Sequence, residues 1–553
     1  MKKKYLDLME KALEAYGYAH IVRYFDDVKR YGLKEHGFAR LTSNIGIMLA
    51  NGRKSELTDI FLRMMDFCCE TMPVVKAAND FTVKEIIFCI LALEDAGLMK
   101  EKTAYWRECL KGVTPEKTYN IYAKQPTDKV HNWACFSMLS EFMRQYIGIA
   151  ETSEFVDLQI ASQLQFIEEN GMYRDPNDPM VYDLVPRGLF AVLLAFGYRG
   201  KYYEEIDGIL RRAGLLTLKM QSVSGEIPYG GRSNQFMHNE AHLAIVFEYE
   251  ARRYAAEGNT DLAARFKLGV KKALDNIEWW FSKDPIRHVK NRYPTETKFG
   301  CEDYAYFDKY MITAGSFLYA ALLICDENIP CADSEDLTPY TAETSVHFHK
   351  LFASGGGYFA EFDTAADHHY ECSGLGRIHK LGAPSTVCMS LPCSSEPNFV
   401  TDVQDRSDIS MCAGTVRNGE FSFATGNAAN YRVISRSADS DHAYCSMECT
   451  VSGAVLRSDY SVGADGVEIT VSGEGEIAFM LPAFEFDGEV SPGITASKHT
   501  LSVDYLGYRC LYETDGNIID TGKRGCNRNG RYKAFATVGS GSLKIKVTIE
   551  KMA

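Results

Sequence analysis

The side chains best suited to chemistry are concentrated in Gly225–His242, which reads GEIPYGGRSNQFMHNEAH. Pro228 and the Gly230-Gly231 pair exclude regular structure from its first half. Leu243, Ile245, Val246 and Phe247 then recur at helical spacing, so a helix follows. Arg232, Asn234, Gln235, His238, Asn239, Glu240 and His242 crowd the junction. Capping the helix would take Ser233 or Asn234 alone. The surplus suits two tasks. His238 and Glu240 can move protons. Arg232, Asn234, Gln235 and Asn239 can hold a carboxylate and hydroxyls. A polar surface loop with incidental histidines is the plainer alternative, in which Glu240 only complements the helix N-terminus.

Similar clusters recur along the chain. His131-Asn132-Trp133 opens one apolar helical stretch. Tyr173-Arg174-Asp175, Asp178 and Tyr182-Asp183 lead into the next. Glu302-Asp303-Tyr304 and Tyr306 precede the last, while Phe38, Arg40 and Asn79-Asp80 hold equivalent earlier places. Trp133 is a candidate stacking platform for a sugar, or else core packing. A further cluster, Asp367–Lys380, contains His368, His369, Arg377 and His379, with Glu371 beside them. It is expected to be a loop completing a cleft.

Metal ligation is not expected. His238 and His242 are four residues apart without the HExxH order, and the close pairs Cys388/Cys393 and Cys445/Cys449 are not CxxC. No cofactor motif is present either.

The elements that must position these residues change character along the chain. Helical patterns are expected near 4–30, 38–50, 53–71, 83–98, 102–111, 132–148, 152–169, 182–197, 202–221, 234–257, 259–283 and 303–326. Amphipathic helices such as 53–71 and 202–221 alternate with helices apolar all round, such as 83–98, 182–197 and 303–326. The latter must be buried. Outer and inner helices in alternation predict an (α/α)6 toroid of helical hairpins, with every inner-helix N-terminus at one mouth. Those N-termini offer free N–H groups to an anion. From about Val346 short alternating runs take over, at 358–362, 386–391, 408–414, 420–426, 431–437, 443–451, 466–473 and 544–550. They read as an antiparallel β-sandwich. The expected fold is therefore mainly α plus β, with a catalytic toroid over 1–330 and a sandwich over 331–553 that lends its 367–380 loop to the cleft.

Composition narrows the partners. A formal net charge of −14 argues against nucleic-acid binding through phosphate neutralisation. Asp7, Glu10 and Glu14 interrupt the segment after the N-terminal lysines, so no signal peptide is expected, and no apolar run is long enough for a bilayer. Sixteen cysteines, several within apolar runs, predict reduced thiols and a cytoplasmic protein. A homo-oligomer is compatible with the sequence.

A toroid followed by a sandwich with a His-bearing loop resembles the six-hairpin carbohydrate-active enzymes. PYGGRSNQFMHNE together with SGLGRIHK is similar to the β-glucuronidases of glycoside hydrolase family 154 and, more distantly, to heparinase II/III-like polysaccharide lyases. The resemblance implies an exo-acting hydrolase of small uronic-acid glycosides or glucuronides. It also admits a lyase of uronate oligosaccharides acting by β-elimination, and a non-catalytic glycan-binding protein is the third reading. Hydrolysis would draw on two carboxyls from Asp175, Asp183, Glu226, Glu240, Glu302 and Glu371. Elimination would use Asn234 or His238, then Tyr304 or Tyr293, then His368 or His379. In either case Arg232 and Arg377 would clamp the substrate carboxylate. His131, Asn132, Trp133, Arg174, Asp175, Tyr182 and His379 would line the substrate site.

Overall fold

The computed structural model describes residues 1–120 and 129–553. Among them, fourteen helices precede the first strand: α1 (Lys2–Glu14), α2 (Tyr18–Tyr31), α3 (His36–Ala50), α4 (Thr58–Thr71), α5 (Asn79–Asp95), α6 (Lys100–Leu110), α7 (Pro115–Thr118), α8 (Asn132–Tyr146), α9 (Ser153–Leu164), α10 (Met180–Ala195), α11 (Tyr203–Met220), α12 (Asn239–Ala256), α13 (Thr260–Phe281) and α14 (Phe307–Ile324). Helices α3, α5, α8, α10, α12 and α14 each pack against the next, and α14 returns to α3, closing an inner ring. These are the helices that are apolar all round. Helix α14, for example, buries Met311, Ile312, Ala314, Phe317, Leu318 and Ala321. The outer helices bury one stripe, as α11 does with Ile206, Ile209, Leu210 and Ala213. Close approach of the ring helices requires Gly46, where a Cβ would come within 2.3 Å of Cys89 Sγ.

Helix boundaries follow local chemistry. The stretch read as one helix over 4–30 is two, because the chain turns at Ala15–Gly17 and α2 starts after Gly17 in an extended conformation. Helix α12 starts at Asn239 rather than 234, because Ser233 and Gln235 have positive φ.

Two antiparallel sheets follow. Strands β1 (Tyr340–Glu343), β2 (Lys350–Gly355), β3 (Tyr358–Asp363) and β4 (Gly374–Lys380) form a four-stranded sheet in sequence order. The second sheet has eleven strands: β5 (Ala413–Arg417), β6 (Glu420–Phe423), β7 (Arg432–Ala438), β8 (His442–Val451), β9 (Ala454–Gly463), β10 (Gly466–Phe486), β11 (Gly493–Ala496), β12 (Thr500–Tyr505), β13 (Tyr508–Thr514), β14 (Asn517–Cys526) and β15 (Arg531–Lys551). Its spine is the pairing of β10 with β15, both 21 residues long.

The small sheet is covered on both faces. Leu351, Ala353 and Phe362 share a core with Tyr460 and Val462 of the large sheet. Phe352 and Phe359 point the other way and pack with Met172, Met180 and Met220 of the helical ring. The sandwich is thereby seated on the mouth side of the toroid. Residues 374–380, expected as loop, are strand β4. The 386–391 run is not a strand: Pro384 and Pro392 flank it, and it is buried as irregular chain. Among the described residues no helix is long and apolar enough to cross a membrane.

Candidate active site

The N-terminal ends of the six inner helices surround a cavity of about 280 Å³. Helix α3 supplies His36 and Arg40, α5 supplies Phe81, and α8 supplies Asn132 and Trp133. Tyr182 comes from α10, while Arg232, His238 and His242 come from α12 and the loop before it. Tyr304, Lys309, Tyr310, Thr313 and Phe317 come from α14 and its approach. Glu35, at the rim, is the carboxylate of the described lining, and it pairs with Lys309 at 2.9 Å.

The guanidinium groups are held from behind. Arg40 Nε donates to both Glu85 oxygens at 3.0 and 3.1 Å, and its Nη1 donates to Thr313 Oγ1 at 2.7 Å and meets His36 Nδ1 at 2.9 Å. Its Nη2 has no partner among the described residues. Arg232 pairs with Asp175 and lies 4.4 Å over the Tyr182 ring. Asp175 also accepts Asn132 Nδ2 at 2.8 Å, so one carboxylate orients two lining residues.

The imidazoles are neutral. Burial lowers His238 to about 3, with Arg40 and His288 adding to the effect. Burial also holds His242 and His36 well below the usual histidine range. The Nδ1 atoms of His238 and His242 have no partner among the described residues. His238 lies 5.5 Å from Tyr310 and 5.8 Å from His242, ring centre to ring centre. Burial pushes the Tyr304 and Tyr310 phenols far up, so both remain protonated donors. Trp133 meets Phe81 edge-on at 4.5 Å.

The loop carrying Arg232 is suspended by carboxylates. The N–H groups of Ile227, Tyr229, Gly231 and Ser233 donate in turn to Glu240 (3.4 Å), Glu361 (3.0 Å), Glu371 (2.5 Å) and Glu302 (2.6 Å). Gly230 and Gly231 have φ of 140° and 76°, a conformation that glycine adopts freely.

This suspension accounts for several expected site residues. Glu302 is not in the cavity lining: Arg528 of the β14–β15 turn grips both its oxygens at 2.9 and 2.8 Å. Glu240 is fully buried against Lys290 at 2.7 Å. Glu226 lies near the same lysine; burial works to raise it, but Lys290, His379 and Arg377 hold it down to about 2. Arg377 is wholly buried, bonded to Glu361 at 2.8 Å and to the Ile227 carbonyl at 2.8 Å, and His379 meets Ser224 at 2.9 Å. Both sit beneath the loop rather than in the cavity. His368 is outside the lining, its Nε2 3.1 Å from the Thr425 carbonyl.

Asn234 donates to the Pro228 carbonyl at 3.3 Å, Asn239 to the Ser233 carbonyl at 3.2 Å, and Gln235 accepts Asn529 Nδ2 at 3.2 Å. These three shape the loop. Arg174 pairs with Asp178 at 3.1 Å, and the His131 ring lies 4.5 Å from Phe166; both lie outside the lining. Of the expected residues the cavity thus brings together Asn132, Trp133, Tyr182, Arg232, His238 and Tyr304, with Asp175 directly behind.

Residues that sequence reasoning passed over are Glu35, His36, Lys309 and Tyr310. His36 and Arg40 share one face at four-residue spacing, as do Tyr306 and Tyr310, and that was the available signal. Among the described residues no group of His, Cys, Asp and Glu is arranged to hold a metal ion.

No protein-family model matches the sequence, and no curated protein does. Solved structures do match the chain, at low sequence identity. The chondroitin AC lyase of Streptomyces coelicolor A3, in complex with chondroitin sulphate, matches over 99% of this chain and 79% of its own, with 11% identity and a TM-score of 0.51. A heparan sulfate lyase from Pedobacter heparinus matches over 93% and 89% with 8% identity and a TM-score of 0.39. A family 88 glycosyl hydrolase from Bacteroides vulgatus matches over 58% and 98% with 14% identity and a TM-score of 0.38. At such identities the first likeness concerns the fold: a helical toroid followed by a β-sandwich.

Proposed function

We propose that the chain is an enzyme that cleaves uronic-acid-containing oligosaccharides, and that it does so by β-elimination. One observation carries this reading: guanidinium, imidazole and phenol groups share one cavity, with Glu35 as the carboxylate of its described lining. Elimination beside a uronate makes three demands. The carboxylate charge must be neutralised so that the C5 proton becomes acidic; Arg232, with Asn132 beside it, serves this. A base must take that proton; His238 is a neutral imidazole of the cavity lining. An acid must protonate the departing oxygen at C4; Tyr304 is a protonated phenol in the same lining. The C5–H and C4–O bonds break, C4=C5 forms, and the proton count is conserved. Trp133 supplies a ring face for the sugar.

Hydrolysis is the second reading, and it has one observation in its favour. Glu35 is a carboxylate of the described lining, where one of the two carboxyls that hydrolysis needs would stand.

The test is a panel of uronate oligosaccharides together with an aryl β-glucuronide. Ultraviolet-absorbing unsaturated product from the oligosaccharides supports elimination. Free glucuronate without that absorbance supports hydrolysis, and binding without turnover supports neither.

A further inference from the structure

Ser233 occupies a position that glycine would fill at lower steric cost. Its φ is 60°, in the left-handed region, two residues after the Gly230-Gly231 pair, which also has positive φ. Its backbone is fixed at both ends: its N–H donates to Glu302 Oε1 at 2.6 Å, and its carbonyl accepts Asn239 Nδ2 at 3.2 Å. Glu302 is in turn immobilised by Arg528. The serine is wholly buried. Its Oγ lies 2.8 Å from the Tyr304 hydroxyl and 3.2 Å from the Tyr182 hydroxyl. Both phenols belong to the cavity lining, and the Arg232 guanidinium covers the Tyr182 ring.

A serine hydroxyl carries one proton, so it can donate to one phenol while accepting from the other. Tyr182, Ser233 and Tyr304 therefore form a chain of three hydroxyls whose polarity reverses by rotation alone. We propose that Ser233 is a positioning residue whose hydroxyl couples Tyr182 to Tyr304 and prepares Tyr304 to transfer a proton. This rests on the reading of Tyr304 as the acid of the elimination. When Tyr304 gives its proton to the departing oxygen, its phenolate accepts the Ser233 O–H, and Ser233 Oγ accepts the Tyr182 O–H. No covalent bond other than that O–H changes along the chain. Burial raises both phenols, and the Ser233 hydrogen bond opposes that rise at each of them. A backbone strained at a functional position, where a less strained residue type is available, fits a side chain kept for its hydroxyl.

Two measurements test this. The first needs no substrate. Wild type and Ser233→Gly are labelled with ¹³Cζ-tyrosine, and resonances are assigned through Tyr182→Phe, Tyr304→Phe and Tyr310→Phe. The glycine keeps the positive-φ backbone and removes the hydroxymethyl side chain. The Tyr182 and Tyr304 resonances should both shift while that of Tyr310 stays; if either of the first two is unmoved, the coupling is overturned. The second is turnover, with Ser233→Ala as a second variant. In both variants kcat should fall at least tenfold, KM should stay within twofold, and the alkaline limb of the kcat profile should move to higher pH. An active wild type whose variants keep kcat and an unmoved limb overturns the proposal. A wild type that forms no unsaturated product overturns the elimination reading instead, and the resonance experiment still decides the coupling.

Discussion

Replacing Arg528 with Met removes the cation that ties the β14–β15 turn to the mouth loop. Arg528 and Glu302 are 1% and 3% exposed, so the value for surface pairs does not apply. Breaking a buried pair by deleting one partner leaves a desolvated charge and costs about 3–5 kcal/mol. Methionine fills most of the space, so little of that loss would be cavity. Glu302→Gln should cost a similar amount, since it leaves the guanidinium unpaired. The double variant replaces the pair as a unit and should lose much less than the sum, with an interaction energy of about 2–3 kcal/mol. Urea unfolding followed by tryptophan fluorescence suits the case, because Trp106, Trp133, Trp279 and Trp280 all lie in the helical ring while Arg528 lies in the sandwich. A loss below about 1 kcal/mol for Arg528→Met, or strictly additive single variants, would refute the buried clamp. Glu302→Gln that kept full stability and lost activity more than about a thousandfold would instead return Glu302 to a direct chemical role.

Three further outcomes are expected. Arg232→Lys keeps the charge but loses the planar fork, so KM for a uronate substrate should rise about ten- to a hundredfold with the urea midpoint unchanged; an unaltered KM would remove Arg232 from carboxylate binding. His238→Gln should lower kcat by about 10²–10⁴ with little effect on stability, since the side chain caps no helix N–H, and a stable variant with normal kcat would exclude it as the base. Glu371 titrates near 4.5 when unfolded, and burial raises it to about 7 in the folded chain. The stability this contributes is full below the unfolded value and is lost as pH rises through the folded one. Glu371→Gln should therefore gain stability relative to wild type between about pH 5 and about pH 8, and a pH-independent difference would contradict the raised carboxyl.

The helical ring was legible because burial on all sides leaves an unbroken apolar stretch, as in α10 and α14, and amphipathic partners alternate with these. The large sheet was legible where one face meets solvent and the residues alternate, as in β8 and the first half of β10. Of the small sheet only β3 was legible, as the run at 358–362, and the rest of that sheet was not. It is buried on both faces, so β2 shows no alternation, and β4 carries Arg377 and His379 inward to buried partners, which makes GLGRIHK look like a loop. At the mouth, polar residues at helix starts pointed to Arg232, His238 and Tyr304. Sequence could not separate them from Glu240, Glu302 and Arg377, which are as able to do chemistry but spend their charges on neighbours elsewhere in the chain. Those partners are up to 226 positions away, as for Arg528 and Glu302, and no local spacing encodes them.

The most direct test of elimination is the mass of the products. A defined uronate oligosaccharide is cleaved, and both fragments are weighed by mass spectrometry. Elimination adds nothing, so the fragment masses should sum to the substrate, with one fragment carrying the new double bond. Fragments that sum to the substrate plus one water would contradict it and identify a hydrolase.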